Sequence, residues 1–332
     1  YSYVGGVDYG SNVAIGHQTL MTGTNANRTV AVGNSAGVSG TASTDNVLVG
    51  YGAGSYADST GNTMIGNKAG FRTSGNYNTV LGFRALSGSS SGDTSNLNVA
   101  IGYTAMEDST SASENVAVGS YAGGNITTGD YNTAIGYAAL RSGATMSRQV
   151  AVGYFALGNY IEASDSRNTA VGMYAMSNIR SGSSNAALGY EALKGVNDAA
   201  NDCHSNTAVG REALKSITSA DNNTALGYQA GQNNTTGDSN VFIGNKAGPS
   251  STSTASNELY IHNDEGTPLI KGDFSAPSVT INGTLDMPTN HGITFDNTNN
   301  NNQWFISNRG TNAATLGFGI GNIDNANLKV TF

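Results

Sequence analysis

A chain of 332 residues in which 11% are charged and 45 are glycine cannot build the thick core of an ordinary globular domain. Its net charge of −8 and pI near 4.8 leave no basic stripe for a phosphate backbone, which argues against nucleic acid as a partner. No apolar run approaches the roughly 18 residues that a spanning helix needs, and the N-terminus lacks the charged and apolar regions of a signal peptide, so a soluble chain without membrane insertion is expected, whether mature or cut from a longer one.

Residues 1–10 look like a worn, partial coil. From 11 to 248 one phrase keeps returning, and Asn132-Thr133-Ala134-Ile135-Gly136-Tyr137-Ala138-Ala139-Leu140 is a clear example. Its marker glycine recurs from Gly16, Gly33 and Gly50 through to Gly227 and Gly244, at steps of 16 to 21 residues and most often 17. That period is too short for helix-pair repeats and fits one coil of a β-solenoid, whose thin interior is continued by its neighbours. An all-β solenoid of about fourteen coils is therefore expected.

The columns of the repeat assign roles. Four residues before the glycine stands Asn in twelve of the fourteen coils, Thr29 and Gln149 being the departures, and stacked amides can hydrogen-bond from coil to coil. Directly before the glycine is always Ile, Val or Leu, as at Ile135, and this column is expected to fill the interior. One place further back the residue is again apolar but usually Ala, so each strand has two apolar faces. The second face needs a cover, and another copy of the chain is the simplest one. Ala139 and its equivalents recur three residues after the glycine. Beyond them, Gly37, Gly54, Gly70, Gly123, Gly231 and Gly248 suit turns, and Leu86, Leu140, Leu157, Leu193 and Leu214 are expected to point inward from a second short strand. The marker glycine is expected to hold a backbone conformation or a close approach that other residues resist.

The phrase Asn-Thr/Val-Ala-Ile/Val-Gly-Tyr-x-Ala-Leu/Gly resembles the head repeat of the YadA-like trimeric adhesins. The resemblance covers 11–248 and implies a left-handed parallel β-roll in a three-fold bundle. The same phrase occurs in long tail fibres of phages and phage-like particles. Asn132, Ile135, Gly136 and Ala139 are then scaffold residues.

After Gly248 the period is expected to stop. Pro249 to Thr254 reads as a linker, followed by a hairpin of Glu258–His262 and Pro268–Lys271 and a continuation to Leu285, so that 249–285 forms a neck. This neck is similar to the one that precedes a self-cleaving chaperone of the endosialidase type in many phage tail fibres, which implies a mature end near Phe332. Residues 286–332 suggest a small β-rich tip containing Trp304, the single tryptophan.

Candidate binding residues lie where the repeat varies. Three long gaps offer Ser89 and Ser90, Tyr160, and Asp198 and Asp202; the tip adds Trp304. Tyr51, Tyr103, Tyr137, Tyr154, Tyr190 and Tyr228 follow their glycines and suit a sugar-binding strip or packing between coils. Glu191 and Glu212 share a column at a separation compatible with glycoside hydrolysis. Lys194 and Lys215 run beside them, and an exposed, charge-balanced ladder is the simpler expectation. Lys68 beside Arg84 in that column suggests a solvated edge.

Cys203 and His204 are adjacent on an extended chain and so point to opposite sides, which disfavours a nucleophile and base. The histidines fall in no paired spacing, and no calcium-loop motif is present, so no metal or other cofactor is expected. The column Val116, Thr133, Val150, Thr169, Ala186, Thr207 is too irregular for an ice-binding threonine lattice. The expected protein is a non-enzymatic homotrimeric fibre of a virion or phage-like particle, attached to a host surface glycan or protein receptor and to other fibre or baseplate proteins. The alternatives are an extracellular adhesin head and, less favoured, a polysaccharide depolymerase.

Overall fold

The structure, a computed structural model, describes residues 11–285 apart from 23–25, 40–42, 57, 90–91, 162–165, 197–200 and 265, together with 305–306 and 318–319. The chain divides into two units, 1–283 and 284–332.

In the first unit fourteen three-residue strands, from β1 (Val13–Ile15) to β14 (Val241–Ile243), pair in chain order, parallel and in register. Equivalent residues of successive repeats oppose each other, as Thr133, Ala134 and Ile135 oppose Val150, Ala151 and Val152. Parallel neighbours one repeat apart mean that the chain makes one circuit between them, which is the expected β-solenoid of about fourteen turns. The described residues contain no helix.

The expected orientation of the strands is reversed. Ile135 and its equivalents point outward: Ile135 is 39% exposed and Leu188 52%. The interior is instead the alanine column one place back, with Ala134, Ala151 and Ala170 essentially inaccessible, joined by the Ala139 column. Alternation in a strand defines two faces without saying which is inside.

The inside can be this narrow because another column fills it. Four residues after the marker glycine, Leu20, Leu86, Met106, Leu140, Leu157, Met176, Leu193 and Leu214 are completely buried. They do not lie on a second strand; they occupy a turn, in left-handed backbone conformation, with φ of 53° at Leu140. Where this column carries Gly, a larger strand residue of the same or the next coil usually takes the space, although at Gly123, beside Ala117, Ile126 does so instead. A Cβ added at Gly70 would meet Met64 Sδ at 2.2 Å, and one at Gly231 would meet Phe242 Cδ2 at 2.5 Å. The interior volume is thus shared between two columns, one large where the other is small, as close packing demands.

Twelve of the fourteen coils, all but the first and last, bend through three left-handed positions, which in the Gly136 coil are Tyr131, Ala138 and Leu140 with φ of 61°, 51° and 53°. Such a conformation costs a non-glycine residue about 1–2 kcal/mol. Each of the three amides donates to a carbonyl of an adjacent coil, those of Ser113, Ser120 and Ala156 respectively, so the bends are held by the stack. Gly136 itself has φ of 127°, and a Cβ there would lie 2.5 Å from the carbonyl oxygen of Gly153. The marker glycine therefore meets both expectations, with the close approach between coils.

The asparagine ladder forms as expected. The Asn132 amide nitrogen donates to Asn115 Oδ1 at 2.9 Å, and its Nδ2 donates to Met146 O at 2.8 Å and to Asn115 Oδ1 at 3.0 Å. Asn132 Oδ1 in turn accepts from the Gln149 amide at 3.0 Å. The column is buried, so these bonds satisfy groups that would otherwise be costly to enclose.

The stack does not end at Gly248. Strand β15 (Glu258–Ile261) pairs parallel with β14, its Glu258 amide donating to Asn240 Oδ1, and Tyr260 stacks on Phe242. The Ser/Thr-rich segment before it lies on the preceding coil: Ser253 O accepts from the Thr235 amide and Pro249 O from Asn233 Nδ2. It therefore forms the flank of a further turn, because a coil flank held by backbone bonds makes few demands on side chains. The expected hairpin follows, with β16 (Ile270–Asp273) antiparallel to β15 and β17 (Ser278–Ile281) antiparallel to β16. In the second unit the described residues form one antiparallel pair, β18 (Phe305–Ile306) with β19 (Phe318–Gly319).

Candidate functional site

The two residues after each marker glycine leave the sheet at one corner of the coil, and successive corners stack. From the Gly82 coil to the Gly172 coil every corner supplies a ring: Phe83, Tyr103, Tyr121, Tyr137, Tyr154 and Tyr174. Successive centroids are 5.3, 5.4, 5.9, 5.1 and 5.3 Å apart, in a mixture of stacked and edge-on geometry. Phe155 flanks the ladder beside Tyr154 and Tyr174. Phe83, Tyr103, Tyr137 and Tyr154 are exposed, so the ladder offers ring faces and hydroxyls to solvent. Burial and the neighbouring Tyr103 push the Tyr121 hydroxyl above its ordinary pKa, and contact with Tyr174 does the same for Tyr154, so both remain neutral donors at physiological pH.

Of the six tyrosines expected to line a strip, Tyr103, Tyr137 and Tyr154 belong to this ladder. Tyr190 and Tyr228 lie beyond it on either side of the Arg211 guanidinium, at 5.5 and 5.6 Å. Among the described residues Tyr51 has no ring partner. Reading a single column missed Tyr121 and Tyr174, which sit one place later. Their coils carry Ser120 and Met173 directly after the glycine, so the ring shifts column while its place in the ladder is kept.

Next to the ladder lies the acidic pair. Glu191 accepts from Lys194 Nζ at 2.6 Å and pairs with Lys215 Nζ at 2.7 Å; Lys215 also approaches Glu212 at 3.8 Å. Glu212 accepts from Gln229 Nε2 at 2.7 Å and pairs with Arg211 at 3.1 Å. The ladder is charge-balanced as expected, but its acids are enclosed, at 7% and 6% exposure. Burial works against the Glu191 carboxylate, yet hydrogen bonds from Lys194 and Lys215 outweigh it and hold the carboxyl below its ordinary pKa. Gln229 does the same for Glu212 against its burial, helped by Arg211. A general acid needs the opposite shift.

The other candidates are dispersed. Ser89 is exposed and its carbonyl accepts from Arg72 Nη1 at 3.3 Å. Tyr160 is fully buried with its hydroxyl on Gly182 O, so it belongs to the core and offers no surface to a ligand. Asp202 is exposed, 3.1 Å from His204 Nε2. Ser90, Asp198 and Trp304 lie outside the described residues. Cys203 is enclosed and burial pushes its thiol up to about 12, whereas His204 faces Ser183 and Asp202 on the other side. No cluster of potential metal ligands occurs among the described residues, and they include no helix long and apolar enough to cross a membrane.

No protein-family model, no curated protein and no solved structure matches the chain.

Proposed function

We propose that the chain is a structural attachment protein: a homotrimeric fibre shaft whose aromatic corner holds glycans of a host surface. The observation that carries this reading is the outward face of the sheet. From Val13 and Ile15 to Val241 and Ile243 every strand turns two side chains outward, the second always Ile, Val or Leu and the first Val, Thr or Ala. A continuous apolar strip of this kind marks an interaction surface. A second copy covers it in register because the strip repeats with the coil, and self-association with closed symmetry is the usual solution. Three copies is the number that the YadA-like phrase implies.

The resemblance of the neck at 249–285 to that of phage tail fibres favours a tail fibre of a phage or phage-like particle, joined to other fibre or baseplate proteins, over an adhesin head on a cell surface. A non-enzymatic role is supported by the ionised, fully paired state of Glu191 and Glu212. Light scattering on the native protein tests the assembly: a mass three times the 33.9 kDa of the chain is expected, and Ile135→Asp with Leu188→Asp should release monomers. A monomeric wild type would overturn the reading. Polysaccharide cleavage abolished by Glu191→Gln would establish the depolymerase alternative instead.

A further inference from the structure

Three cations converge on one shallow cavity of about 100 Å³, lined by Lys68, Phe71, Arg72, Arg84, Ser87 and Gly88. In a chain with 15 Lys and Arg against 23 Asp and Glu, such a concentration has no general cause. Its acids are few. Glu107 pairs with Arg84 at 2.6 Å, and Asp93, behind Gly88, is buried and turned to Thr73 and Ser95. Among the described residues no carboxylate pairs with Lys68 or Arg72.

These two side chains are held instead by Phe71, with Lys68 Nζ 5.4 Å and Arg72 Cζ 5.8 Å from its ring centroid. Tyr56 meets the same ring edge-on at 5.1 Å, and Ser89 O takes a bond from Arg72. Cation–π contact fixes the positions of an ammonium and a guanidinium without neutralising them. The charge of Lys68 and Arg72 is therefore preorganised and uncompensated, as an anion site requires, while Arg84 is shared with Glu107. Arg84 comes directly after Phe83, the first ring of the aromatic ladder, so the cavity adjoins the ladder's end.

We propose that Lys68, Arg72 and Arg84 bind the anionic substituent of an acidic saccharide, a carboxylate or a sulfate, whose sugar rings continue onto the ladder from Phe83. This rests on the glycan-attachment reading and adds the ligand's charge to it. The test is calorimetric titration of the assembled wild-type protein with three hexasaccharides of equal length, one a polyuronate, one sulfated and one neutral. At least one acidic oligosaccharide should bind tenfold or more tightly than the neutral one, the better of the two identifying the anion. Lys68→Ala with Arg72→Ala, the first half-buried, the second exposed and neither in an ion pair among the described residues, should remove that preference while leaving neutral binding unchanged. Equal binding of all three, or a preference that survives the double variant, overturns the acidic site alone. Binding of none of the three overturns the glycan reading with it, while the native mass still reports on assembly separately.

Discussion

The sharing of interior volume between two columns can be tested by exchanging their contents at one coil. Met64→Ala removes a completely buried side chain, a change that costs about 2–5 kcal/mol when the surroundings cannot collapse. Gly70→Leu alone forces a Cβ to within 2.2 Å of Met64 Sδ, an overpacking worth about 1–3 kcal/mol, on top of about 1–2 kcal/mol for placing Leu at φ near 59°. If the two effects were independent, the double variant would lose the sum, roughly 4–10 kcal/mol. They are not independent in this structure. Leu140 already sits in that column at φ 53° beside Ala134 and Ala151, so the double variant rebuilds a coil that the chain contains. Only the backbone cost and imperfect fit should remain, about 1–3 kcal/mol in all, less than Met64→Ala is expected to cost at its upper end and well below the additive sum. Thermal melting of the four proteins, followed by far-ultraviolet circular dichroism at one concentration, closes the cycle. A double variant as destabilised as the two single variants combined would refute the shared-volume account.

Three further outcomes are expected. Asn132→Ala leaves the Gln149 amide and the Met146 carbonyl buried without their partner, at about 1–3 kcal/mol for each, and hydrogen exchange at Gln149 should rise sharply; unchanged protection there would remove the ladder from the account. Gly136→Ala should be more damaging than any alanine substitution on the coil surface, because Cβ meets the Gly153 carbonyl and no side chain can move to relieve it; soluble protein with a wild-type melt would contradict this. Glu191 and Glu212 have lowered folded-state pKa values, so their contribution is complete above the ordinary carboxyl value of 4.5 and is lost as pH falls below it. Glu191→Gln with Glu212→Gln should therefore lower the melting temperature at neutral pH and flatten its decline on the acid side, whereas parallel melting curves against pH would show that the pair contributes nothing.

Much of this molecule can be read from its period. The steps between marker glycines define the coils, and the asparagine column announces a buried ladder because a regularly placed amide inside an otherwise variable repeat has few other uses. The turns are half legible: glycine at position 70 signals a left-handed bend, but Leu140 in the same conformation does not, since its strain is offset by bonds to neighbouring coils that a single repeat cannot reveal. The aromatic ladder is legible only in part for a related reason. Its rings come from either of two adjacent columns, so Tyr121 and Tyr174 join it only when stacking in three dimensions is considered. The pairing of Phe71 with Lys68 and Arg72 likewise joins columns that look unrelated along the chain.

The reversal of the strand bears most directly on self-association. Bulky aliphatic residues belong inside by their transfer free energy, about 1.5–3 kcal/mol for each when fully buried, and this is why the sequence alone points the Ile135 column inward. In the isolated chain that gain is forgone at coil after coil, while alanine occupies the interior and Leu140 and its equivalents complete it. The sequence signal for this arrangement is the complementarity of Gly70 with Met64 and of Leu140 with Ala134, which ties the Ala134 column, and not the Ile135 column, to the residues that must be inside. The face in need of a cover is consequently the larger one. Exposure of Ile15, Leu81, Ile135, Leu188 and Leu226 along one strip is a stronger motive for the proposed association than exposure of alanines would have been, since burial of that strip between copies would recover the free energy that each chain alone leaves unused.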